Sequence, residues 1–134
     1  MRSLRGALAV VAAASIVAAG AATVWGQAAT EWKAPADAKN LKNPEKAADA
    51  GKKSVETNCA SCHGPQGKGD GPAAAALNPR PANWQSDKLK KETDGELFWK
   101  VTNGRGPMPP WKHLPEKERW QIVNYIRQLQ GVKK

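Results

Sequence analysis

Two cysteines and a histidine within five residues, Cys59-Ala60-Ser61-Cys62-His63, constrain this chain more than any other feature, and these are its only cysteines. Three chemistries use such spacing. A dithiol redox pair needs a surrounding β-α-β pattern, and none is legible here. A structural zinc site needs four Cys or His ligands, and outside the motif only His113 is left to add. The third is covalent attachment of haem, in which each thiol adds to a vinyl group and the adjacent histidine binds the iron on one face. That third reading is the one the chain supports.

The composition agrees with it. From Glu31 to Lys134, Leu, Ile, Val and Phe together number only thirteen, a share usual in chains that do not fold. The same stretch nevertheless holds Trp32, Trp84, Trp99, Trp111, Trp120 and Tyr125, which disordered tails rarely carry. Such a small domain must be completed by something other than its own side chains. A covalently held porphyrin supplies that apolar area and cannot leave it exposed by dissociating.

Ahead of the domain, Arg2 and Arg5 precede an uncharged run from Gly6 to Thr30, apolar over Ala7 to Ala22 and then rich in small residues. This is the layout of a secretory signal peptide, residues 1–28, cut after Ala28. The competing reading is an uncleaved membrane anchor. Both place the remainder outside the cytoplasm, in the periplasm or tethered to the inner membrane. Residues 29–42 show no period and read as an extended tether. The domain spans 43–131, and 132–134 form a basic tail.

Within the domain, Asn43-Pro44-Glu45 predicts a helix start, with the helix running to about Asn58. The stretch from His63 to Asn83 is a long Gly- and Pro-rich loop. Thr93-Asp94-Gly95-Glu96 predicts a capping box opening a short helix that Asn103-Gly104 closes. The last helix starts near Pro115 and ends at Gly131, with Ile122, Val123, Ile126 and Leu129 at helical spacing. With no strand pair, the fold class is all-α: three to four helices wrapped around one haem.

Past the start residue there is a single methionine, Met108, inside Gly106-Pro107-Met108-Pro109-Pro110-Trp111. A methionine in a small core is usually gap-filler. Here it sits between prolines, in a segment unable to form helix or strand, where rigid backbone would hold a thioether against the iron. Met108 is the expected second axial ligand opposite His63. The rival ligand is His113, which reads better as a surface residue ahead of the last helix, and an open iron is the remaining alternative.

These residues together resemble the class I cytochromes c, closest to small bacterial monohaem forms. The resemblance rests on Cys59 to Gly64, Gly67-Lys68-Gly69-Asp70-Gly71-Pro72, Asn103-Gly104 before Met108-Pro109, Trp120, and Tyr125-Ile126-Arg127. It implies the small cytochrome c fold, with first and last helices crossing where Gly51 allows close approach beneath Tyr125. It implies that the Pro72 carbonyl accepts a hydrogen bond from the second nitrogen of His63, fixing the ring. Arg80, Asn83 and Trp84 lie where the family often places donors to the haem propionates, and Leu97 and Val101 are expected to face the ring. Val55 stands where many relatives carry an aromatic, so a looser crossing is expected.

The function that follows is one-electron transfer between respiratory redox partners, with haem c as cofactor and no catalysis or small-molecule substrate. The alternative is the haem c subunit of a larger membrane or periplasmic oxidoreductase complex. A peroxidase needs an open distal position, which Met108 closes, and a gas sensor needs an exchangeable ligand and an output domain. The net charge is +9, but the lysines are scattered and no recognition motif for nucleic acid is present. The excess instead predicts redox partners with an acidic docking face, met by Lys68, Lys88, Lys90, Lys91, Lys100, Arg105 and Lys112 around the haem crevice.

Overall fold

Thr93 and Glu96 close the reciprocal pair of hydrogen bonds that their spacing predicts. The Thr93 hydroxyl accepts from the Glu96 N–H at 3.2 Å, and the Thr93 N–H donates to the Glu96 carboxylate at 2.7 Å. They open a helix in the computed structural model of the chain, which describes residues 31–47 and 49–132. The leader (1–28) and the last two residues of the basic tail lie outside these. Five α-helices occur among the described residues: α1 Ala50–Asn58, α2 Ala60–His63, α3 Asp87–Lys90, α4 Asp94–Asn103 and α5 Glu116–Leu129. The described residues form no strand, and the architecture is all-α, as expected. Among them, no helix is long and apolar enough to cross a membrane.

α4 ends at Gly104 and α5 begins after Pro115, as their capping signals require. The two longest-range expectations fare differently. α1 does cross α5 at Gly51, and so tightly that a Cβ there would collide with the Gln121 carbonyl. The meeting point is therefore one turn before Tyr125. Val55 is fully buried at this crossing, which is close-packed rather than loose. It shares the core with Ile122, Val123, Ile126 and the stacked rings of Phe98 and Trp120, whose centroids are 3.8 Å apart.

Two expectations are corrected. The helix does not start at Asn43 but seven residues later. The Asn43 side chain instead accepts from the Glu45 N–H at 2.9 Å and donates to Asn124 Oδ1 of α5 at 2.9 Å. Asn124 in turn donates to the Glu45 carbonyl at 2.8 Å. Tertiary hydrogen bonds to α5 thus hold the turn open, winning over a local helix cap. Nor are residues 31–42 simply extended. Ala36–Asn40 forms a 3-10 turn with Ala38 buried against Gly95 of α4, while Trp32 lies 5.3 Å from the Lys100 ammonium. A short polar sequence without period gives no hint of docking that depends on a glycine sixty residues away. Two short elements were also not foreseen: α3, capped by the Ser86 hydroxyl, and a 3-10 turn at Ala74–Ala76.

Candidate haem site

The break between α1 and α2 falls at Cys59, so that Cys59, Cys62 and His63 leave the backbone from one turn. The His63 N–H donates to the Cys59 carbonyl at 2.8 Å, and the Gly64 N–H to Ala60 at 2.9 Å. Neither cysteine is in a disulfide; Cys59 is buried and Cys62 half-buried. Burial pushes the Cys59 thiol up to about 12, with Cys62 adding to the shift, so it is held as the neutral thiol. His63 is buried and its pKa is lowered chiefly by desolvation, against a smaller opposing effect of its hydrogen bond to Ala82. The imidazole is therefore held neutral, the form that ligates metal.

The partner of that imidazole differs from expectation. His63 Nδ1 lies 3.1 Å from the Ala82 carbonyl, not from that of Pro72. Since a carbonyl only accepts, Nδ1 carries the proton and Nε2 keeps its lone pair. Pro72 is exposed, and its neighbours Gly71 and Ala73 donate to the Cys62 and Ser61 carbonyls, fastening that part of the loop to the attachment turn instead. The Ala82 segment reaches His63 because the Trp84 N–H donates to the Gly67 carbonyl at 2.7 Å. Gly67, at φ +67°, has no side chain to obstruct the Trp84 ring lying over it. Nothing in residue 82 marks this role in sequence, because a backbone carbonyl performs it.

Trp84 is buried and stacks on the His63 ring, centroids 4.7 Å apart and planes at 28°. Its ring is thus engaged with the histidine. Asn83 is exposed and its side chain accepts from the Gln85 N–H at 2.9 Å, a local turn; Arg80 is exposed. The structure therefore brings Trp84 to the histidine and leaves Arg80 and Asn83 at the surface. Leu97 and Val101 are buried on one face of α4 in the same apolar cluster as Cys59 and Trp84.

Met108 is half-buried in a strap running from Gly104 to Trp111. Prolines are not its only restraint. Arg105 and Met108 exchange backbone hydrogen bonds at 2.9 and 3.1 Å, and the Trp111 N–H donates to Val101 at 3.2 Å. Arg119 of α5 then donates to the Leu114 carbonyl at 3.2 Å and to the Thr102 hydroxyl at 2.5 Å, tying the chain just beyond the strap to α4. His113 is exposed, beside the Trp111 ring. Gln130, in the cap of α5, escaped the sequence reading, and Arg127 entered it only through the resemblance, with no buried role assigned. Their signal was present, since 123, 127 and 130 continue one helical face, but polarity hid it.

Two thiols, a neutral imidazole and a restrained thioether, beside an apolar cluster, suit a haem c. Among the described residues, no three His, Cys, Asp or Glu side chains gather to hold a metal ion, so a four-ligand zinc site has no basis there. No curated protein matches the sequence. Among solved structures, the chain is similar to one from the reducing HAO-like protein complex of Kuenenia stuttgartiensis, at 30% identity and a TM-score of 0.56. The match covers 66% of this chain and 46% of that one, so this chain spans about half the length of its structural relative. The family model described as cytochrome c oxidase, cbb3-type, subunit III matches residues 46–126, which run through the attachment motif, the strap and most of α5. The chain belongs to this cbb3-type cytochrome c family, a family of class I monohaem c-type cytochromes whose cofactor is haem c and whose role is electron transfer.

Proposed function

We propose that the chain is an exported monohaem cytochrome carrying one electron at a time between respiratory redox proteins. Cys59 and Cys62 are its covalent attachment points, and His63 and Met108 its axial ligands. The observation that carries the reading is the orientation of His63: a buried, neutral ring on the attachment turn, its Nδ1 proton held by Ala82, leaving Nε2 to bind iron. When bound, haem supplies the ferric/ferrous couple. Met108, on its pinned strap, favours the ferrous state relative to a second histidine and denies the open position that peroxide chemistry requires. Leu97 and Val101, buried in the same cluster as Cys59, would give a bound haem an apolar, water-poor wall.

Residues 1–28 are read as the export signal or a retained anchor, 29–42 as the leading segment and 43–131 as the haem domain. Export agrees with the general habit of cytochrome c domains. A second reading, a permanent subunit of a redox complex, is favoured by the similarity to a chain solved within a protein complex. The primary test is haem staining after denaturing electrophoresis, with intact mass raised by one haem. Colour that acid acetone removes overturns the reading.

A further inference from the structure

Arg127 and Gln130 stand one turn apart on the inward side of α5 and its cap, 5% and 6% exposed. Burial of a guanidinium is costly unless its donors are satisfied. Here Arg127 Nε meets Asp94 Oδ1 at 2.7 Å, Nη1 meets Gln130 Oε1 at 2.7 Å and the Leu89 carbonyl at 3.5 Å, and Nη2 donates to the Glu92 carbonyl. Because Gln130 Oε1 accepts from Arg127, the amide can turn only one way, and its NH₂ faces outward along the chain of contacts. It donates to the Trp84 carbonyl at 2.9 Å.

The segment 82–84 therefore has two anchors, the Gly67 carbonyl on one side and Gln130 on the other. It touches His63 twice, through the Ala82 carbonyl at Nδ1 and through the stacked Trp84 ring. A leucine at 130 would fill the space equally well, yet could not direct the Trp84 carbonyl. We propose that Gln130, oriented by Arg127, is a positioning residue for the proximal ligand: through Trp84 and Ala82 it sets the His63 ring and thereby the ferric/ferrous balance. This rests on the haem c reading above. Groups that hold the second nitrogen of a ligating histidine fix its orientation and raise its basicity. A stronger imidazole donor stabilises ferric iron, so loosening the segment favours ferrous.

The test uses the matured, haem-loaded protein as wild type, Gln130→Leu and Gln130→Glu. Glutamate keeps the size and the acceptor for Arg127 but has no donor for Trp84. All three are expected to keep the covalent haem, by stain and mass, and a low-spin iron. Both variants are expected to raise the ferrous-to-ferric ratio at a fixed ambient potential about threefold or more, less than the loss of a direct partner would cause. Their ferric low-spin electron paramagnetic resonance g values, which report the ring orientation, are expected to shift. A purely structural role would lower the denaturation midpoint and leave both readouts where they were, and that result overturns the proposal. Should Gln130→Leu fail to hold haem, Gln130→Glu decides on the same two readouts. A wild type lacking covalent haem overturns the underlying reading instead.

Discussion

Met108 has one replaceable property, its sulfur. The strap that carries it is fixed by backbone hydrogen bonds at Arg105, Met108 and Trp111, none of which needs the thioether. Met108→Ala is therefore expected to leave the fold in place and abolish the weak sulfur-to-iron band at the red end of the ferric spectrum. Met108→His is expected to keep a low-spin iron and lower the reduction potential, since imidazole stabilises ferric iron better than a thioether; a potentiometric titration checks this. A band that survives in Met108→Ala would remove Met108 from the ligand set. At this scale the motif residues are legible because their side chains do the chemistry. Ala82 and Gln130 are not, because one acts through a carbonyl and the other through a neighbour's.

Elements are held where local signals and tertiary contacts agree. The Thr93–Glu96 capping box satisfies two of the orphan groups at the start of α4. Thr93→Ala is expected to cost about 1 kcal/mol in denaturant unfolding of the haem-loaded protein, with the absorption spectrum unchanged. Gly51→Ala is expected to cost more, about 1–3 kcal/mol or above, despite alanine's better helix propensity, because the added methyl meets the Gln121 backbone, which has no rotamer to change. Where signals disagree, as at Asn43, the contact with α5 decides the start of α1.

For the whole molecule, charge and the docked leading segment matter most. Arg2 and Arg5 are two of the 21 basic side chains, so removal of residues 1–28 leaves 19 against 12 acidic ones, a formal charge of +7. Lys68, Lys88, Lys90, Lys91, Arg105 and Lys112 are exposed, but Lys100 is buried against Glu92 and Trp32 and is withdrawn from the docking set. The rate of electron exchange with the native partner is expected to fall steeply as ionic strength rises from about 10 mM to above about 200 mM, where the Debye length shrinks from roughly 30 Å to below about 10 Å. A rate indifferent to salt favours the permanently assembled subunit. Separately, a haem-loaded chain beginning at Asn43 is expected to be less stable than one beginning at Glu31 by about 2 kcal/mol in denaturant unfolding, because the contacts of buried Ala38 and partly buried Trp32 are lost.

Sequence alone determined the all-α class, the Cys59/Cys62/His63 turn, and the bounds of α4 and α5. Each of these depends on residues within a few positions of one another, where capping, helical spacing and motif chemistry operate. The tertiary structure decided which carbonyl meets His63, where α1 begins, that residues 32–41 fold back onto α4, and that Lys100 is buried. These outcomes join positions about twenty to eighty residues apart through backbone groups, glycine-sized gaps and buried polar side chains. Such features carry no period and no motif, so only the folded chain reveals which of them meet.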